Sequence, residues 1–185
     1  MEEEIKCTLE ILRNGGVILY PTDTIWGLGC DATNPEAIER IFRIKERSDS
    51  KSMLTLVGDE VQLRQTLGNV SDETLRMASE SQEPLTVIYP DVEGLPSQLR
   101  GEDGSAGIRV CRYEFTSRLC RELGRPLVST SANVSGEPSP STFAEISMRI
   151  RESVDYICKT GRDMSAGKPS RIIKIERDGS HTVIR

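Results

Sequence analysis

Apolar positions along the chain alternate between helical spacing and short continuous runs. Residues 2–14 carry apolar side chains on one helical face, and Gly15-Gly16 ends the pattern, which predicts a helix over this stretch. The apolar segment 16–21 (GVILYP) that follows predicts a buried strand. The chain therefore begins as a helix followed by a strand.

A second helix is predicted from a capping signal. Asn34 is a good N-cap residue, and Pro35 suits the first helical position. Ile38 and Ile41 then lie on one apolar face, and the pattern runs on to Lys45. This helix should carry a group of basic residues at its end.

The rest of the chain continues the alternation. Helical patterns fill 71–80, 114–124 and 142–152, the last with a Thr142/Glu145 capping box. Further apolar runs predict strands at 53–57, 84–90, 105–110, 126–130, 154–158, 170–175 and 181–184. With no internal repeat and no long linker, we expect one α/β domain over residues 1–185, built on a mixed sheet.

Composition removes several classes of protein. The net charge of -5 argues against a protein covered in basic surface, so any nucleic-acid contact must be local. No stretch approaches a membrane span, and the acidic start (MEEEIKCTLE) differs from a signal peptide, so we expect no membrane contact and a cytoplasmic location.

Cysteine and histidine usage limits the possible chemistry. Five cysteines without a C-x-x-C pair predict reduced, mostly buried thiols, and helical spacing puts Cys7 and Cys120 in the core. His181 is the one histidine, which leaves no His-rich metal site and no second histidine for a catalytic set. We expect His181 to be structural or superficial.

A basic island stands out in this acidic chain. Residues 40–51 hold five cations against Glu46 and Asp49: Arg40, Arg43, Lys45, Arg47 and Lys51. The last three could close around a polyphosphate, because arginine offers a planar fork and lysine a mobile point charge. A charge run alone is more typical of a solvated helix face, so both interpretations stay open.

The segment PTDTIWGLGCDA (21–32) follows the first predicted strand. Thr22, Asp23 and Thr24 form a turn, followed by two glycines, and this suits either a small-ligand site or a plain tight turn. Trp26 could line a pocket or fill the core.

Hydroxyl side chains cluster at 129–142 (STSANVSGEPSPST), directly after an apolar run. Ser131 and Asn133 form a compact S-x-N pair there, which suits hydrogen bonding to phosphate or ribose, although such loops are commonly only loops. The segment 161–170 (GRDMSAGKPS) is not a P-loop, because five residues separate its outer glycine from Gly167-Lys168 and Pro169 replaces the hydroxyl residue.

The chain resembles the YrdC-like family of threonylcarbamoyl-AMP synthases in the order and spacing of five segments. These are YPTDTIWGLGCDA, KERSDSK, GIRV, PLVSTSANVSGEPSP and GKPSRIIKI, and the match covers nearly the whole chain. The resemblance implies a twisted open mixed sheet with flanking helices around a basic cleft. It also implies synthesis of threonylcarbamoyl-AMP and pyrophosphate from L-threonine, bicarbonate or CO2, and ATP.

The resemblance also implies roles for individual residues. L-Threonine would be bound by Thr24, Arg109, Ser129 and Ser170. The catalytic K-x-R and S-x-N pairs are Lys45, Arg47, Ser131 and Asn133. The ATP site would be lined by Arg47, Lys51, Ser105, Ser131, Ser139 and Arg185. Mg2+ is expected to arrive with ATP, and no protein-held metal site is expected.

Partners follow from the same resemblance. Downstream threonylcarbamoyl-transferase proteins would pass the group to tRNA. One alternative is a module that binds double-stranded RNA or tRNA through the basic cleft. Another is a YciO-type paralogue of uncertain substrate.

Overall fold

The computed structural model describes residues 1–46, 53–68 and 70–185. Its α-helices are α1 (Glu2–Arg13), α2 (Pro35–Ile44), α3 (Glu60–Leu67), α4 (Asp72–Ser79), α5 (Glu114–Leu123) and α6 (Met148–Glu152). Its strands are β1 (Ile18–Tyr20), β2 (Gly27–Gly29), β3 (Leu54–Val57), β4 (Leu85–Tyr89), β5 (Ala106–Val110), β6 (Leu127–Ser131), β7 (Tyr156–Ile157), β8 (Arg171–Ile175) and β9 (His181–Val183).

The described strands form one mixed sheet in the order β7-β1-β2-β6-β3-β5-β4-β8-β9. Three neighbouring pairs are parallel, namely β1 with β7, β3 with β5 and β4 with β8, and the other pairs are antiparallel. In the register, Gly27 faces Ser131, Leu54 faces Ser129, and Leu56 faces Arg109. Segments far apart in sequence therefore meet along one strip of the sheet.

Because side chains alternate along each strand, some residues of this strip pack into the core and others face an open cleft. Leu56 and Leu127 pack into a hydrophobic cluster with α1 and α5. Because strand side chains alternate with a period of two, Leu54, Ser129 and Arg109 project from the same face of the sheet. Alternate residues such as Val57, Val128 and Ile108 belong to a second cluster with residues of α2, α3 and α4. One sheet face is thus partly covered by helices and partly left open to a ligand.

Most of the predicted elements are confirmed. Helix α2 begins as expected, with the Asn34 side chain accepting hydrogen bonds from the backbone N–H groups of Glu36 and Ala37. The predicted Thr142/Glu145 capping box is wrong. Ser147 caps α6 instead, and the Glu145 carboxylate accepts a hydrogen bond from the backbone of Ser141.

Two elements were absent from the prediction, each for a local reason. The sequence of β2 is typical of a turn, because two of its three residues are glycine. At Gly29 a Cβ atom would lie only 2.5 Å from Cε1 of the buried Tyr20 ring, so the strand leaves no room for a side chain there. Helix α3 was missed because Gln62 and Thr66 occupy buried positions on its inner face, which interrupts the apolar pattern.

The thiols follow the prediction with one exception. Cys30, Cys111, Cys120 and Cys158 are free and buried, whereas Cys7 is exposed on the outer face of α1, so its placement in the core was wrong. None of the helices in the described part of the chain has the length and apolar character needed to cross a lipid bilayer.

Candidate functional site

A cavity of about 610 Å³ opens on the uncovered part of the sheet. It is lined by residues of β2, β3, β5 and β6, by the 22–25 turn, by residues 169–170 before β8 and by Arg185 after β9. It gathers seven of the residues for which the family resemblance implies substrate contacts: Thr24, Arg109, Ser129, Ser131, Ser139, Ser170 and Arg185. The strand register therefore brings motifs that are far apart in the sequence together in one site.

The 22–25 turn is held by the hydroxyl of Thr22. Thr22 Oγ1 donates to the carbonyl of Ile25 at 2.7 Å and accepts from the backbone N–H groups of Thr24 and Ile25. The side chain of Thr24 is thereby fixed toward the cavity, where its hydroxyl accepts a hydrogen bond from Nη2 of Arg109 at 3.3 Å. This turn is a preorganised part of the site, not a plain connection.

Arg109 is a buried cation with a buried counterion. Its side chain is 3% exposed, and Nη2 lies 3.0 Å from Oδ1 of Asp23, whose side chain is 11% exposed. The sequence interpretation placed Asp23 in the turn but gave it no role; its signal was a carboxylate between two threonines. Burial and the Asp23 carboxylate raise the pKa of the nearby Cys111 thiol to about 12, so this thiol stays protonated beside the ion pair.

Ser170 joins the cavity to the end of the described chain. Its hydroxyl shares a hydrogen bond with Thr86 at 2.9 Å, and its carbonyl accepts from the Arg185 guanidinium at 3.2 and 3.3 Å. The backbone of Arg185 also pairs with that of Ile172 in both directions. Arg185 is thus tethered at the cavity wall although it is exposed.

Lys45 lies behind the S-x-N turn and outside the cavity lining. Its side chain is buried at the end of α2, where Nζ donates to the carbonyl oxygens of Ser131 at 2.6 Å and Asn133 at 2.7 Å. The Asn133 amide nitrogen donates to the carbonyls of Val134 and Glu137. Lys45 and Asn133 therefore shape the loop that presents Ser131 and Ser139 to the cavity.

Segment 161–170, which the sequence argument rejected as a P-loop, lies against the 22–25 turn. The backbone N–H of Gly167 donates to the carbonyl of Thr24 at 2.6 Å, and Pro169 and Ser170 continue into the cavity wall. The following residues form strand β8, in agreement with the sequence argument against a phosphate-binding helix. This segment closes one side of the site.

Several expectations have other outcomes. Arg47 and Lys51 lie outside the described residues. Ser105 was expected in the ATP site; it lies beside a different depression, where its hydroxyl donates to Asp103 at 2.6 Å, and its role in ATP binding stays a prediction. The ring of Trp26 is buried against Phe143, with centroids 4.9 Å apart, which places it in the core and not in the cavity wall.

Cations lie at the wall of the cavity and behind it, and Asp23 offsets the charge of one of them, Arg109. Arg109 and Arg185 line the cavity and Lys45 lies directly behind it, which makes a local basic cleft in an acidic protein. Among residues 1–46, 53–68 and 70–185, no group of three or more His, Cys, Asp or Glu side chains is arranged to hold a metal ion. Neutral hydroxyls and cations therefore supply the donors available to a ligand.

Comparison with known proteins connects this geometry to a family. The Sua5_yciO_yrdC family model, described as "Telomere recombination", matches residues 10–185. A "Threonylcarbamoyl-AMP synthase" of Nitrosococcus oceani is 38% identical over 176 residues, which are 95% of this chain and 92% of that protein.

Solved structures share the fold. E. coli YciO has 30% identity and a TM-score of 0.84, with 100% of this chain and 89% of that one covered. P. abyssi Sua5, solved in complex with L-threonine, has 24% identity and a TM-score of 0.85, and this chain spans 54% of its length.

Proposed function

This chain belongs to the Sua5/YciO/YrdC family, and we propose that it is a threonylcarbamoyl-AMP synthase. The observation that carries the proposal is the meeting of the buried Arg109 cation with Thr24, Ser129 and Ser170 in one cavity. The 38% identity to a synthase over nearly the whole chain supports the same activity. Because its described strands share one sheet, we infer that residues 1–185 act as one unit.

The amino acid would bind at the end of the cavity that contains Arg109. A guanidinium pairs well with a carboxylate, so Arg109 would take the threonine carboxylate. The hydroxyls of Thr24, Ser129 and Ser170 surround that position and suit the hydroxyl and amine of the substrate. Arg109 is also buried, which strengthens its interaction with a carboxylate compared with the same pair in water.

ATP would occupy the part of the cavity toward the 131–139 loop. Ser131, Ser139 and Arg185 line it and would donate to phosphate or ribose oxygens. Arg47 and Lys51 would complete the ATP site, and the K-x-R and S-x-N pairs would act as a catalytic unit in which Lys45 and Asn133 hold the loop in shape. Mg2+ would enter on the phosphates of ATP.

The proposed reaction is a nucleotidyl transfer. The threonine amine forms a bond to the carbon of CO2 and gives a carbamate, and the N–H proton that it loses balances the proton taken up when bicarbonate is converted to CO2 and water. A carbamate oxygen then forms a bond to the α-phosphorus, and the bond between that phosphorus and the bridging oxygen to the β-phosphate breaks to release pyrophosphate. Negative charge accumulates on phosphate oxygens during this step, so fixed cations and hydroxyls accelerate it.

The product is an activated threonylcarbamoyl group, which a separate transferase would pass to tRNA, and a cytoplasmic location fits such a substrate. The binding-module alternative has less support, because Lys45 and Arg109 are buried and cannot contribute to a basic surface that a long polyanion could reach.

The test is pyrophosphate release from the purified protein with MgATP and bicarbonate, with and without L-threonine, followed by mass measurement of the adenylate. We expect release that depends on threonine and a product with the mass of threonylcarbamoyl-AMP. Salt-sensitive RNA binding with no pyrophosphate release would contradict the proposal and favour the binding module.

A further inference from the structure

Asp23 is the described residue whose position the proposed reaction leaves unexplained. Its carboxylate lies beside the cavity but does not line it, and its closest cation is Nη2 of Arg109 at 3.0 Å. Neither carboxylate oxygen accepts a hydrogen bond from a described residue. The contact with Arg109 is thus an ion pair without hydrogen-bond alignment.

A buried carboxylate without hydrogen-bond donors lowers the stability of the fold, so a functional role would explain its presence. A buried carboxylate normally collects several hydrogen-bond donors, because desolvation is offset only by strong local contacts. In this turn the backbone N–H groups of Thr24 and Ile25 donate to the Thr22 hydroxyl and not to Asp23. The backbone N–H of Gly167 donates to the carbonyl of Thr24. The ion pair with Arg109 is therefore the main compensation that the described residues give Asp23.

The same ion pair restricts Arg109. Nη2 lies 3.0 Å from Oδ1 of Asp23 and donates to the hydroxyl of Thr24, which holds that edge of the planar guanidinium in place. Nε is buried and has no hydrogen-bond partner among the described residues, so one donor of the cation is unsatisfied there. A guanidinium held at one edge presents its remaining donors in one orientation, which is what a bidentate contact with a carboxylate requires.

We infer that Asp23 is the positioning residue for Arg109 and thereby sets the affinity for the carboxylate of the amino-acid substrate. This inference rests on the proposed function, since it assigns Arg109 to that carboxylate. Positioning of Arg109 by Asp23 can be distinguished from simple neutralisation of its charge by the direction in which the affinity for threonine changes. A carboxylate that only neutralised Arg109 would compete with the substrate, so its removal would tighten binding; a carboxylate that orients Arg109 weakens binding when it is removed.

The experiment compares Asp23→Asn with Asp31→Asn by calorimetric binding of L-threonine and by steady-state pyrophosphate release. Asp31 is a matched control, because it is also buried and pairs with Arg125 at 2.6 Å, away from the cavity. We expect Asp23→Asn to raise Kd and KM for threonine by roughly 10- to 100-fold, the loss of one charge-assisted contact, with KM for ATP unchanged. Asp31→Asn should leave both constants as in the wild type.

A second ligand and a second variant keep the result decisive. L-Threoninamide lacks the carboxylate charge, so the ratio of its affinity to that of threonine should shift toward equality in Asp23→Asn.

If that variant does not fold, Asp23→Glu, which displaces the charge by one methylene, should weaken threonine binding in the same selective way. Tighter or unchanged threonine binding in the folded variant would overturn the inference. Absence of threonine-dependent release in the wild type would instead overturn the proposed function.

Discussion

Two buried cations flank the cavity, and they are used in opposite ways. Lys45 and Arg109 are each 3% exposed. Lys45 donates to two main-chain carbonyls of the S-x-N turn, whereas Arg109 faces a carboxylate, a hydroxyl and the open cavity. The difference supports the proposed roles, in which Lys45 holds the loop and Arg109 takes the ligand.

Replacement of Lys45 should give the largest effect. In Lys45→Met the carbonyl oxygens of Ser131 and Asn133 lose a buried donor, so we expect the free energy of unfolding to fall by roughly 2 to 5 kcal/mol. Activity should fall for every substrate together, because the whole loop loses its support. Urea unfolding and steady-state kinetics measure the two effects.

Lys6→Met is the control for this variant, since Lys6 is exposed on α1. It should unfold as the wild type does. A fully stable Lys45→Met with a defect confined to ATP would show that Lys45 is a ligand of the triphosphate and would remove the contrast with Arg109.

Arg109→Lys should affect the substrate more than the fold. It keeps a positive charge near Asp23 but loses the planar fork, so KM for threonine should rise by roughly 10- to 100-fold while KM for ATP is maintained. Kinetics with each substrate varied in turn provide the measurement. Equal losses for threonine and ATP would contradict separate roles for the two ends of the cavity.

The contrast between the two cations also shows what sequence could predict. The motifs predicted that the Lys45 and Ser131 segments belong together, and the structure places them in contact. Their orientation was not predictable, because whether a lysine points into a cavity or under a loop depends on how α2 packs against the end of β6. Asp23 was missed for a related reason: its turn signal is the same whether its carboxylate faces solvent or a distant arginine.

Strand geometry explains why Ser105 lies at a distance from Arg109. Ser105 and Arg109 are four residues apart, and an extended chain separates them by roughly 13 Å. A motif that is compact in sequence therefore spans from the cavity to another depression on the sheet. In contrast, residues 27, 54, 109 and 131 are remote in sequence and adjacent in the sheet, which only the strand order could reveal.

Glycines in β2 offer a smaller test of the separation between architecture and ligand binding. In Gly27→Ala the new Cβ would lie 3.3 Å from the carbonyl of Thr130 at the cavity wall, so stability should fall by about 1 kcal/mol while kcat/KM falls severalfold. Gly29→Ala would bring a Cβ within 2.7 Å of the Val128 carbonyl, away from the cavity lining, and should cost about 2 to 3 kcal/mol. Thermal unfolding and kinetics on both variants should separate the two effects; a reversed pattern would contradict the placement of the cavity.

Ser105→Ala should have the smallest effect, and it tests whether the cavity ends where the structure indicates. The Ser105 hydroxyl and backbone N–H lower the pKa of Asp103 to about 2, from an ordinary value of 3.8. A lowered carboxyl pKa stabilises the fold above the ordinary value, and this contribution is lost as the pH falls through the folded pKa. The variant should therefore be slightly less stable than the wild type at pH 7, and the difference should shrink between about pH 4 and pH 2. Because the hydroxyl is directed to Asp103 and not to the cavity, KM for ATP should not change; a raised KM for ATP would mean that the nucleotide reaches along β5, far beyond Arg109.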